Sequence, residues 1–81
     1  MPLGRKNIPI ETDLEKFEDV LASGIKDEVE AIAFYEELID RARYLSRESL
    51  SAKIIIALEE IKKDEERHLL KLRAIQTALR L

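Results

Sequence analysis

The sequence predicts an all-α fold: an antiparallel hairpin of two helices, which dimerises into a four-helix bundle. Helix-breaking residues concentrate before residue 12, and the only other turn-like cluster is SRESLS at residues 46–51. The stretches on either side of this cluster carry apolar residues at the three- and four-residue spacing of helices. Two helices of about 30 residues, each about 45 Å long, share one contact line, and their remaining apolar surface needs a second hairpin to cover it.

The chain divides into a short N-terminal segment and one helical domain. Residues 1–11 contain both prolines and Gly4, which predicts an irregular arm. The helical domain occupies residues 12–81, with helices at about 13–45 and 49–79. Thr12 followed by Glu15 forms a capping-box pattern at the start of the first helix, and Ser46 or Ser49 is expected to cap the second.

Composition excludes several functional classes. Of the 81 residues, 46% are hydrophobic, 38% are charged and none is cysteine, so disulfides, thiolate metal sites and cysteine nucleophiles are excluded. The net charge of −3, with basic and acidic residues interspersed, argues against a nucleic-acid partner. No apolar run approaches the ~20 residues of a membrane span. The first residues lack the apolar core of a signal peptide, so a cytoplasmic location is expected.

Charged residues interrupt the apolar row of each helix. In the second helix, alternating steps of four and three residues select apolar positions except at Glu65 and His68. In the first helix, the same steps meet one charged residue, Glu28. The second-helix row is Ile54, Leu58, Ile61, Glu65, His68, Leu72, Ile75 and Leu79; the first-helix row is Leu14, Phe17, Leu21, Gly24, Glu28, Ala31, Tyr35, Leu38, Ala42 and Leu45.

The three polar residues are predicted to meet at one level of the hairpin. The midpoint between Glu28 and the Glu65/His68 pair falls near residue 47, inside the predicted turn. Buried carboxylates need compensation, and carboxylates with imidazole suit iron or manganese. A symmetric dimer would bring together four carboxylates and two imidazoles. That is the ligand set of di-iron carboxylate bundles, with a Glu from each of two helices and a Glu-x-x-His from each of the others.

Two of these assignments have structural alternatives. Polar residues in an apolar row also serve to fix helix register through hydrogen bonds, without any metal. Tyr35 lies two turns after Glu28 on the same face, so its hydroxyl could reach the site. The alternative is an aromatic core residue whose hydroxyl is hydrogen-bonded elsewhere.

Two segments of the sequence resemble the ferritin-like and rubrerythrin-like superfamily. DEVEAIAFYEEL, residues 27–38, is similar to the first-helix motif of that superfamily, and EEIKKDEERH, residues 59–68, is similar to its second-helix motif. The chain is most similar to the encapsulated ferritins, which have a single hairpin per chain. The resemblance covers most of residues 12–79.

The resemblance implies a ferritin-like four-helix bundle with a di-iron ferroxidase site across a dimer interface. Glu28 would be a terminal ligand, Glu65 a bridging ligand, His68 a terminal nitrogen ligand, and Tyr35 a residue beside the metals. Manganese or zinc are alternative ions for the same ligands. Encapsulated ferritins assemble further, commonly into decamers, inside an encapsulin shell. The resemblance therefore implies a homodimer at minimum and a possible decamer. It also implies an encapsulin shell as partner and an encapsulin nanocompartment as location.

The function expected is therefore the oxidation of Fe(II) for iron storage or detoxification. One alternative is a rubrerythrin-like peroxidase; because the chain has no cysteine for a rubredoxin-type relay, its reductant would be a separate protein. The other is a non-catalytic structural or interaction hairpin.

Overall fold

The computed structural model describes the backbone of residues 2–80 and the side chains of residues 13–80. It contains two helices, α1 (Pro2–Ala42) and α2 (Glu48–Leu79). They pack against each other as a hairpin measuring 69 × 21 × 12 Å, which confirms the predicted two-helix architecture. Within the described residues, neither helix has a stretch both long and apolar enough to cross a membrane.

Helix α1 begins at Pro2, eleven residues before the predicted start at position 13. The sequence predicted an irregular arm over residues 1–11, but residues 2–11 are helical in the structure. Proline at a helix start loses no hydrogen bond and has a suitable φ angle. Once a helix is nucleated, each added residue contributes a further hydrogen bond. A proline inside a helix loses one backbone hydrogen bond and crowds the carbonyl four residues earlier, at a cost of about 3 kcal/mol or more, and nothing in the structure explains why α1 includes Pro9.

The turn between the helices occupies residues 43–47, slightly before the predicted SRESLS cluster. The amide N–H groups of Tyr44 and Leu45 donate to the carbonyls of Arg41 and Ala42 at 3.2 Å each. These three-residue bonds tighten the end of α1. The N-cap of α2 is Arg47, in an extended conformation and with no side-chain capping bond. The expectation of a Ser46 or Ser49 cap was therefore wrong.

A serine instead ties the two helices together at the turn. Ser51 is the buried polar residue of the described side chains, and its Oγ donates a 2.7 Å hydrogen bond to the Ala42 carbonyl. That carbonyl lies in the last turn of α1 and also accepts the Leu45 N–H, so Ser51 supplies its second donor. The bond therefore holds the start of α2 against the end of α1.

We expect Ser51→Ala to destabilise the hairpin by about 1 kcal/mol, because it removes a buried hydrogen bond while the Ala42 carbonyl keeps the Leu45 N–H as a donor. Urea unfolding at fixed protein concentration measures this loss. The matched control is Ser49→Ala, since Ser49 is exposed in the same helical turn. Equal unfolding free energies for the two variants would contradict the proposed tie.

The face that α2 turns toward α1 differs from the predicted row. The side chains of α2 that are buried or half-buried at four- and three-residue steps are Ser51, Ile55, Leu58, Lys62, Glu65, Leu69, Leu72 and Gln76. Of the predicted row, four residues are exposed, namely Ile61, His68, Ile75 and Leu79. The apolar stripe of α2 is wider than one neighbouring helix covers. One edge packs within the hairpin, where Leu21, Ile39 and Ala42 of α1 are buried, and the other edge remains accessible.

Two apolar clefts follow this accessible edge. The first, of about 370 Å³, is lined by Phe17, Val20, Leu21, Gly24, Leu72 and Ile75. We call it the distal cleft, because it lies away from the turn. The second, of about 290 Å³, is lined by Leu38, Arg41, Ala42, Leu45, Ile54 and Leu58, and we call it the turn-side cleft. Along both helices, the positions of Glu28, Glu65 and His68 fall between the two clefts.

Candidate metal centre

Glu28, Glu65 and His68 lie together between the helices. One ligand atom from each residue falls within 4.8 Å of the ligand atoms of the other two. Glu28 is contributed by α1, and α2 supplies the other two residues three positions apart, which places them on one face of the helix. The His68 Nδ1 is 4.0 Å from Oε1 of Glu65. The structure thus brings the three residues to one level, as the midpoint of the turn predicted; their role as ligands remains a prediction.

The cluster runs from a sheltered side to an open side. The Glu28 Oε2 atom is buried and has no hydrogen-bond partner among residues 13–80. The Glu65 side chain is 22% exposed and that of His68 58% exposed. A buried carboxylate oxygen without a donor is unfavourable. The arrangement therefore offers unused acceptor capacity inside the hairpin and an imidazole at its surface.

The neighbouring carboxylate perturbs Glu28. The hydrogen bond that a protonated Glu28 would form with Glu65 raises the pKa of Glu28 above its ordinary value of 4.5. Desolvation and the charge of Glu65 raise this pKa further, the charge of His68 lowers it, and that of Asp27 raises it. Two ionised carboxylates have no proton between them, so the hydrogen bond requires one of the pair to be protonated. When both are ionised, the buried Oε2 atom of Glu28 has no hydrogen-bond partner among the described residues.

The raised pKa gives a pH dependence of stability in metal-free protein. The folded chain retains the Glu28 proton at pH values where the unfolded chain has lost it. The unfolding free energy is therefore expected to fall as pH rises from about 4.5 through the folded pKa of Glu28. Urea unfolding across this range, with a chelator present, measures the slope.

Glu28→Gln is the matched variant for that measurement. It keeps the side-chain volume and supplies an amide donor toward Glu65 at every pH, so its stability is expected to decline less with pH than that of the wild type. At neutral pH and equal protein concentration, Glu28→Gln is expected to be the more stable protein. Parallel pH profiles for the two proteins would show that Glu28 is not perturbed by Glu65.

The donor set fits a divalent cation. Ligands about 2.1 Å from a common ion are at most about 4.2 Å apart, so the observed limit of 4.8 Å requires only small side-chain adjustments. Three protein donors leave coordination positions open for water, substrate or further protein ligands. Two carboxylates with one imidazole are compatible with iron, manganese or zinc. An ion would also provide the partner that the Glu28 Oε2 atom lacks.

Tyr35 is half-buried on α1. Its ring makes an edge-to-face contact with that of Phe34, with centroids 5.4 Å apart and planes at 67°. Neither of its two sequence-based interpretations is decided by this contact. The role of Tyr35 beside a metal remains a prediction.

Sequence reasoning missed the ion pair that joins the helices near this site. The Lys62 Nζ lies 3.4 Å from Oε2 of Glu36, and Lys62 is only 27% exposed. Periodicity gave no signal for it, because Lys62 lies outside the predicted apolar row and only the observed rotation of α2 places it on the packed face. The pair links opposite charges on the two helices and favours the register that places Glu28 beside Glu65.

No known protein family, curated protein or solved structure matches the chain closely enough to identify a relative. The resemblance of residues 27–38 and 59–68 to ferritin-like motifs therefore stays a prediction.

Proposed function

We propose that the protein is a ferroxidase that oxidises Fe(II) at a di-iron site shared between two chains, for iron storage or detoxification. The observation that supports this most is the cluster of Glu28, Glu65 and His68, in which a buried carboxylate oxygen lacks a partner. Two carboxylates and one imidazole per chain are too few to enclose two ions. A second hairpin doubles the set to four carboxylates and two imidazoles, the composition found in di-iron bundles.

Charge balance supports two divalent ions in such a dimer. Four ionised carboxylates carry four negative charges, which two divalent cations neutralise. Carboxylates at this spacing otherwise repel each other, as the raised pKa of Glu28 indicates. Deprotonation of Glu28 is required before it can act as a ligand, so iron binding is expected to release protons.

The three residues have distinct roles in the proposed site. The sequence resemblance implies that Glu65 would be the bridging ligand. Glu28 would be a terminal ligand on the sheltered side and His68 a terminal nitrogen ligand at the surface. Tyr35 would lie beside the metals. Bound iron would supply the redox chemistry, giving electrons to dioxygen or peroxide at open coordination positions. The hairpin holds the ligands in place and shields the inner carboxylates from water.

The apolar edge beside the cluster supports pairing of two chains. The distal cleft leaves Phe17, Val20 and Ile75 exposed on one side of the ligands, and the turn-side cleft leaves Leu45 exposed on the other. Apolar side chains on a small hairpin gain stability by burial, and a homodimer through this edge would bury them and bring the second ligand set to the site. A decamer, an encapsulin shell and a cytoplasmic nanocompartment are further proposals that rest on the sequence resemblance.

Anaerobic titration of the metal-free protein with Fe(II), followed by stopped-flow absorbance after mixing with air, tests the proposal. We expect binding to saturate at about one iron per chain, the stoichiometry of two ions shared by two chains, and then rapid oxidation. Dioxygen and peroxide are compared as oxidants in the same experiment. No stoichiometric binding, together with oxidation no faster than that of iron in buffer, would contradict the ferroxidase assignment.

A non-catalytic hairpin is the second candidate, and the raised pKa of Glu28 favours it. A protonated Glu28 donating to Glu65 would satisfy the buried carboxyl group without a metal and would fix register. In that case a divalent ion would leave the melting temperature unchanged. Under the ferroxidase proposal, Mn(II) at about 100 times its Kd is expected to stabilise the wild type by about 2.7 kcal/mol, and to stabilise Glu28→Ala much less.

A further inference from the structure

We draw no further inference here: the strongest candidate, the apolar groove of about 690 Å³ between Val29 and Ile32 of α1 and Leu69 and Leu70 of α2, carries no proposal because nothing in the structure shows what covers it.

Discussion

Glu65→Ala is expected to abolish stoichiometric Fe(II) binding and to reduce ferrous oxidation to the rate of free iron in buffer. In the proposed dimer, the Glu65 of each chain would bridge both ions. The substitution would therefore remove two ligand oxygens from each ion. Loss of a residue that merely orients a metal ligand costs about 10–100-fold in affinity or activity. Loss of a bridging ligand is therefore expected to cost at least about 100-fold. Anaerobic titration and stopped-flow absorbance measure the two effects separately.

Glu66→Ala is the matched control for this experiment. It removes the same charge from the adjacent position of α2, but Glu66 is exposed and lies outside the cluster. We expect it to bind and oxidise iron as the wild type does. Circular dichroism establishes that both variants remain helical. If Glu65→Ala retained wild-type iron binding while folded, the cluster would not be the iron site.

A second property of Glu65→Ala distinguishes metal binding from a register role. Removing Glu65 removes the charge and hydrogen bond that raise the pKa of Glu28. Metal-free Glu65→Ala is therefore expected to be as stable as the metal-free wild type, or more stable, at neutral pH. Added Mn(II) is expected to stabilise the wild type but not the variant. A purely structural cluster would show no response to metal in either protein.

The sequence was sufficient to predict the hairpin and the meeting of the three cluster residues. Both results depend on long, regular helices whose rise per residue is constant. Once the turn is located near residue 47, the level of Glu28 relative to Glu65 and His68 follows from residue numbers alone. An error of about two residues in the position of the turn shifts the facing residue by about four, roughly one helical turn, and Glu28 still meets Glu65 and His68 within that range.

The rotation of α2 about its axis was not predictable in the same way. An apolar stripe that includes Ile55, Ile61 and Ile75 spans more of the helix circumference than one partner covers, so periodicity alone does not show which edge faces α1. The structure decides this through Ser51 and Lys62, polar residues on the packed face that find specific partners in Ala42 and Glu36. Such pairings depend on tertiary geometry, which a single-helix pattern does not contain.

Local signals at the helix ends were also overridden. Ser46 and Ser49 have the chemistry of capping residues, yet the backbone enters α2 at Arg47. Pro9 signals a break, yet α1 extends past it to Pro2. In neither place does the preference of a single residue decide where the helix begins.

Ile75→Glu is expected to convert a dimer into a monomer and, with it, to eliminate rapid iron oxidation. Ile75 is 43% exposed in the single hairpin and lines the distal cleft beside Gly24 and Leu72. If the apolar edge forms the dimer interface, a glutamate there would be desolvated without a partner, at a cost of about 3 kcal/mol or more per site. Such a cost weakens dimerisation by more than about 100-fold. Sedimentation equilibrium measures the association directly.

Ile56→Glu makes the same chemical change elsewhere on α2. Ile56 is 58% exposed and lines neither the distal nor the turn-side cleft, so this variant is expected to remain a dimer with wild-type oxidation. Neither substitution changes Glu28, Glu65 or His68, so a loss of oxidation confined to Ile75→Glu would come from loss of the partner chain. A folded Ile75→Glu protein that still dimerises and oxidises iron would place the interface on another face. A wild-type protein that is monomeric when loaded with iron would overturn the shared site altogether, because one hairpin supplies only three of the proposed six protein ligands.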